Sequence, residues 1–328
     1  MQGHSKFKAV RKIAALCAGL LFAAGAAQAA SYPDKPIKLI VGFAPGGASD
    51  TLARLVAQQA STRLGQQIIV ENQAGAGGSL AARTLARAEA NGYTVMLGSP
   101  GSMIINPILQ PKLAYDPRKF TPISPLARIS YALMVRQNLE ADSVAQLVEL
   151  SKSTPHGLTV GSAGIGSNTH LVAMSFVVGT GAQLRHIPYK GTAPAMADLM
   201  AGNIDVLFDS VPVVLPQVQS GKIRILAVTG ASRETLFPDV PTIADSGWPS
   251  FTANNWFGIF APPDTPAPVV HKLNEAFTAT LQDESVRANL ESSGNRPAPG
   301  TPQDLAKLVE TERRDYENTI KQTHISLQ

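Results

Sequence analysis

The stretch Phe43-Ala44-Pro45-Gly46-Gly47-Ala48-Ser49-Asp50-Thr51 joins an apolar run, Ile37 to Phe43, to an amphipathic one that continues to Leu64. A strand-to-helix junction of this composition is suited to holding an anion. Pro45 stiffens the turn, Gly46 and Gly47 remove side chains that would block close approach, and Ser49 or Asp50 is a good N-cap. Free N–H groups at a helix start carry partial positive charge and suit a carboxylate or phosphate without an arginine. Three further junctions share the pattern: Gly98–Asn106 with Ser99, Ser102 and Asn106, Gly161–His170 with Ser162, Gly164 and Ser167, and Pro188–Pro194 with Tyr189 and Lys190. Gly75–Ser79 is a fifth candidate. For any single loop, ordinary turn and capping chemistry is explanation enough. Recurrence in two sets points instead to a small polar ligand.

Asp209 follows the apolar run Ile204–Phe208 and precedes Ser210 and Pro212. It reads either as a turn or cap residue, or as a carboxylate facing a cleft, where it orders a loop, a water or an amine. Asp50 has the same two readings, with the N-cap foremost. Lys190 either pairs with an anion or is simply solvated. His170, His186 and His271 are scattered and read as surface or packing residues. There is no Gly-x-Ser-x-Gly elbow, Walker loop or His-Glu-x-x-His, and Gly75-Ala76-Gly77-Gly78 lacks the dinucleotide spacing. A secreted hydrolase using Ser49 or Ser162 as nucleophile would need a base and an orienting acid that no spacing reveals. No cofactor or metal is expected.

Alternating strand and helix patterns place these loops in a parallel α/β architecture. Strands are expected over Ile37–Phe43, Gln67–Glu71 and Tyr93–Gly98, with helices over Asp50–Leu64 and Ser79–Ala90. Pro107, Pro111, Pro117, Pro122 and Pro125 then break the chain, which suits a crossing between domains. A second set follows, with helices over Val144–Ser153, Asn168–Val178 and Ala193–Ala201. Its strands are Leu158–Gly161, Leu184–Ile187, Ile204–Phe208 and Ile223–Thr229. Phe251–Phe260 carries the chain back, ahead of helices near Val269–Gln282, Glu284–Ser292 and Pro302–Thr319. Two such units and two crossings imply two lobes, 30–130 plus 254–328 and 131–253, with a cleft outside the carboxyl ends of the strands.

The first residues have a basic start with Lys6, Lys8, Arg11 and Lys12, an apolar run from Ile13 to Ala27, and Ala27 and Ala29 around Gln28. This is the pattern of a signal peptide, residues 1–29, cut after Ala29 for export to the periplasm. The chain has 28 basic and 24 acidic residues, and removing the leader's four basic groups leaves 24 of each. A neutral mature chain gives no reason to expect nucleic acid. The single cysteine, Cys17, lies in the leader behind Leu16, so removal is preferred over lipid anchoring. Disulfides, thiolate metal sites and cysteine nucleophiles are thereby excluded from the mature chain.

Several motifs occur together in a recognisable order: Tyr32-Pro33 with Pro36-Ile37, Pro45-Gly46-Gly47 with Asp50, and Gly161-Ser162 with Gly166-Ser167 and His170. Tyr189-Lys190-Gly191, Phe208-Asp209 and Pro238-Asp239-Val240-Pro241-Thr242 follow. With its leader, the chain resembles the Bug-type solute-binding proteins of the tripartite tricarboxylate transporter family, over essentially the whole mature length. The resemblance implies a two-lobed, type II-like periplasmic-binding-protein fold that closes on a small mono- or dicarboxylate and passes it to a membrane permease. It also implies ligand contacts from Phe43, Gly46, Gly47, Ala48, Ser49 and Asp50 in one lobe, and from Ser162, Gly164, Ser167, Tyr189, Lys190 and Asp209 in the other. In one segment, Ser102-Met103-Ile104-Ile105-Asn106-Pro107-Ile108-Leu109-Gln110, Asn106 and Pro107 match the family pattern, while the Thr-His pair and the tyrosine that relatives carry are absent. Met103 and Ile104 either line the cleft with apolar surface or pack beneath the loop. The expected protein is a monomer that binds and does not catalyse. A hydrolase and a ligand sensor for a signalling receptor are the alternatives.

Overall fold

The computed structural model describes residues 32–46, 48–110, 112–218 and 221–325. The expected leader lies outside them. Strands β1 (Ile37–Val41), β2 (Ile68–Asn72) and β3 (Thr94–Gly98) are parallel in the order β2-β1-β3, with α1 (Ala48–Leu64) and α2 (Ser79–Ala86) as crossovers. Leu39 and Val41 share a core with Leu52 and Val56 of α1, and Ile40 shares another with Ala81 and Leu85 of α2. A strand covered on both faces needs a largely apolar run, and in β1 only the exposed Lys38 near its start departs from one.

β9 (Asn254–Ala261) joins β3 antiparallel, and the Thr121–Ser130 part of β4 (Thr121–Arg136) joins β9. The remainder of β4 enters a second sheet between β7 (Val206–Ser210) and β8 (Ile223–Val228). β5 (Leu158–Ser162) and β6 (Leu184–Pro188) complete that sheet, ordered β6-β5-β7-β4-β8. The first sheet reads β2-β1-β3-β9-β4. Each half thus has three parallel strands, then an antiparallel strand reached through a crossing, then a fourth. The proline-rich stretch expected to be irregular runs into β4, a 16-residue strand. Pro122 and Pro125 stand where its register with β9 shifts, and such irregularities tolerate a residue without an N–H.

The second half is built on α4 (Val144–Ser153), α5 (Asn168–Thr180), α6 (Thr192–Ala201) and α7 (Val211–Val218), with the short α3 (Asn106–Leu109) before them in the first. Its core gathers Leu133, Val160, Phe176 and Phe208. The helix α7 contains Pro212 and Pro216, which hid it from the sequence pattern. Helices α8 (Ala267–Gln282), α9 (Glu284–Ser292) and α10 (Pro302–Thr323) close the chain. A capping box between Thr301 and Asp304 starts α10. Its Leu305, Tyr316 and Ile320 pack in a first-half core that also takes Leu171 of α5 and Trp256 of β9. Ser175 of α5 and Thr319 of α10 meet at 3.2 Å, so α10 bridges the halves. Among the described residues no helix is long and apolar enough to cross a membrane.

Candidate functional site

The loops at the carboxyl ends of β1, β2 and β3 are tied to one another. Asp50, in the first turn of α1, accepts from the Gly46 N–H at 2.9 Å and Arg54 Nε at 3.0 Å through one oxygen, and from Asn72 Nδ2 at 2.8 Å through the other. Asn72 Nδ2 also reaches the Phe43 carbonyl at 3.1 Å. Hydrogen bonding by Arg54, helped by Gly46 and Asn72, overcomes burial and holds the carboxyl at about 2. Asp50 is therefore a permanent anion that fixes the Pro45–Gly46 turn, and the Gly46 N–H is already used. Ser49 is buried beside it, Ala48 opens the helix, and Gly47 lies outside the described residues. Arg54, four residues after Asp50, was the available signal for this ion pair.

The second loop crosses close to β1, because a Cβ on Gly42 would fall 2.7 Å from Gly78 Cα. Ala76, Gly77 and Gly78 all have positive φ, and Asn106 Nδ2 fastens them through Ala76 O at 2.9 Å and Gly77 O at 3.2 Å. Asn106 thus shapes the cradle from behind. Ser102 donates to Ser99 O at 3.2 Å, and Tyr115 donates to Ser102 O at 2.7 Å. Met103, Ile104 and Ile105 are buried with Ile40, Met96 and Trp256, which settles their role as packing beneath the loop.

In the second half Ser167 caps α5, accepting from His170 N at 3.2 Å. Thr169 Oγ1 accepts from Ala163 N at 2.9 Å, and Gly166 N donates to His170 Nδ1 at 3.1 Å. Gly164 has φ +126°, and a Cβ there would fall 3.1 Å from the Tyr189 carbonyl, so the Ser162 and Tyr189 loops lie against each other. Tyr189 commits its hydroxyl to Asp198 at 2.6 Å, and Lys190 is exposed.

Sequence spacing gave no hint that His170 and His186 stack, with ring centroids 3.8 Å apart, or that His186 Nε2 lies 2.6 Å from Ser162 Oγ. Among the described residues no carboxylate hydrogen-bonds His186, so this is a serine and histidine without an orienting acid. Burial, then the neighbouring ring, lowers His170 to about 4, and burial lowers His186. The native state therefore binds fewer protons than the unfolded chain as pH falls from 6.5 toward 4, and stability is lost across that window. His170 should contribute about 2–3 kcal/mol to that loss, read as the difference in denaturant stability between the wild type and His170→Gln across the window.

The two halves meet at the mouths of these loops. A Cβ on Gly101 would lie 3.1 Å from Gly77 O, 3.6 Å from Asn168 Oδ1 of α5 and 3.8 Å from Ser99 Oγ. Asn168 Nδ2 reaches Asn255 Oδ1 of β9 at 3.4 Å. Two buried oxygens on this side have no hydrogen-bond partner, Ser99 Oγ in the first half and Asp209 Oδ2 in the second. Burial raises Asp209 to about 6, against the lowering influence of Ser210 and Thr192. A cavity of about 700 Å³ opens beneath α10, lined by residues including Arg128, Asn254, Arg296 and Glu312, and shares none of these loop residues.

A family model described as "Tripartite tricarboxylate transporter family receptor" matches residues 52–325. A Rhodopseudomonas palustris protein solved with adipate is 36% identical with a TM-score of 0.79, over 90% of this chain and 99% of that one. MatC of the same organism, solved with bound malate, is 33% identical with a TM-score of 0.74, over 88% and 100%. The periplasmic binding protein BugD is 32% identical with a TM-score of 0.75, over 90% and 100%. The architecture is that of periplasmic binding proteins, and these neighbours bind solutes rather than transform them.

Proposed function

We propose that this chain, which belongs to the tripartite tricarboxylate transporter receptor family, captures a small carboxylate between two closing lobes and delivers it to a membrane permease. The lobes are 30–130 plus 254–328 and 131–253, exported as a monomer by the leader 1–29. The observation that carries this reading is the convergence of glycine-rich polar loops from both halves on Gly101 and Asn168, with Ser99 Oγ and Asp209 Oδ2 left without partners. The adipate and malate bound by the two similar structures support carboxylates as the ligand class.

The first lobe holds the carboxylate at the Pro45–Ser49 turn and the Gly75–Ser79 cradle. Asp50 keeps the turn in place, and Asn106 keeps the cradle. The second lobe adds the Ser162–Ser167 loop, the Tyr189–Lys190 loop and Asp209. A micromolar dissociation constant is about −8 kcal/mol, within reach of three or four charge-assisted hydrogen bonds at about 1.5–3 kcal/mol each before ordering costs. Contacts made only when the lobes meet favour the closed form, and a permease recognises that form. Isothermal titration of the mature protein against aliphatic and aromatic mono- and dicarboxylates should give one-to-one binding. Absence of heat with every member of the panel would remove the proposal.

A further inference from the structure

Building on the carboxylate-binding reading, we infer that Asp209 meets the bound solute as a proton-carrying donor, so that capture of a carboxylate takes up one proton from solvent. Asp209 sits at the end of β7, level with Ala132 of the crossing strand β4. It is 4% exposed. Its Oδ1 accepts from the Ser210 N–H at 2.7 Å, while Oδ2 is buried with no partner. The capping duty expected of a residue in this position is thus met by one oxygen, and the other is surplus to the fold.

A buried carboxylate oxygen without a donor is unfavourable, and a proton on it removes the charge and creates a donor. The charged and titratable groups on the packed elements do not supply a counter-charge. On β4, Arg136 is paired with Asp205 at the far end of β7, Arg128 lines the cavity under α10, and Tyr131 is held in its neutral form by burial. On α5 there is His170, lowered by burial and stacked on His186, and on α6 there is Asp198, bonded to Tyr189. β5 and α7 carry no ionisable side chain. An arriving carboxylate raises the proton affinity of Asp209 further, since two carboxylates that share a site retain one proton between them. The proton is drawn from bulk water, and the O–H of Asp209 donates to the solute oxygen. No bond to carbon changes.

Free Asp209 titrates near 6, so proton uptake should approach one at pH 7.5 and vanish near pH 5, where the group is already protonated. The apparent dissociation constant should rise up to tenfold per pH unit above about 7. Titration calorimetry with adipate and with malate, at pH 7.5 in buffers of small and large ionisation enthalpy, reads the proton number directly. Near one proton in the wild type at pH 7.5, falling to near none at pH 5, and loss of that uptake in Asp209→Asn, is the expected result. Binding without proton uptake in the wild type overturns the inference and leaves carboxylate capture standing, whatever the variant's stability. Uptake unchanged in Asp209→Asn overturns it equally and assigns the proton to another group, such as the stacked histidines. No heat with either acid or with any other carboxylate overturns both readings.

Discussion

Asp50→Ala should lower stability by about 2–4 kcal/mol and weaken carboxylate binding by at least about tenfold, because two or three charge-assisted hydrogen bonds go at once. The buried carboxylate joins the Gly46 N–H, Arg54 and Asn72, and through Asn72 it holds the Phe43 carbonyl. Arg54 is half-exposed, at 53% of its side chain, so water compensates part of its loss. The Gly46 and Asn72 bonds are less easily replaced. Denaturant titration reads the first effect and calorimetry the second. Asp50→Asn should retain part of both, since an amide oxygen still accepts from Gly46. Affinity unchanged in a less stable Asp50→Ala would mean that the Pro45–Gly46 turn does not touch the solute.

Trp256→Ala should remove about 3–5 kcal/mol, the ordinary effect of deleting a fully buried aromatic side chain. Trp256 is 1% exposed on β9, opposite Arg128 of β4, and its Nε1 donates to Glu312 Oε2 at 2.5 Å. Burial raises the Glu312 carboxyl from the ordinary 4.5 to about 8, against the pull of Trp256 and Arg128. The native state then holds a proton that the unfolded chain releases. Its contribution is complete below pH 4.5 and is lost as pH rises to about 8, a change of about 1–3 kcal/mol for this half-buried group. Trp256→Phe keeps most of the packing and removes the N–H that lowers the carboxyl. It should therefore steepen the loss of stability toward alkaline pH, read as denaturant midpoints between pH 5 and pH 9. The slope has the opposite sign to that from His170, so Glu312 and His170 can be separated by pH.

The parallel strands and their crossover helices were legible because each buries a continuous face. β1, α4 and α9 fall where apolar runs, caps and glycines place them, with ends within a residue or two. β4 and α7 were not legible, because proline is a poor guide where a register shift or a helix's first turn removes the need for its N–H, as at Pro122, Pro125 and Pro212, and because α7 also carries Pro216 in its interior. For the site, loop composition marked the right junctions, and individual roles did not follow from it. Gly46 reads as an open donor, yet its partner lies four residues along the chain, in Asp50. His170 and His186 belong to different elements, and only the parallel pairing of β5 and β6 brings His186 beside the Ser162 loop. A contact between distant elements leaves no local pattern in a sequence.

The strand β4 has a consequence for how divisible the molecule is. Its Thr121–Ser130 part completes one sheet and its remainder is an interior strand of the other, while β9 returns through the first. A cut at the crossing would therefore leave the second sheet whole and divide the first, with β9 carried on the fragment that lacks its partners β3 and Thr121–Ser130. Joined through one continuous strand, the halves are not modules that evolution or an engineer could exchange at a linker.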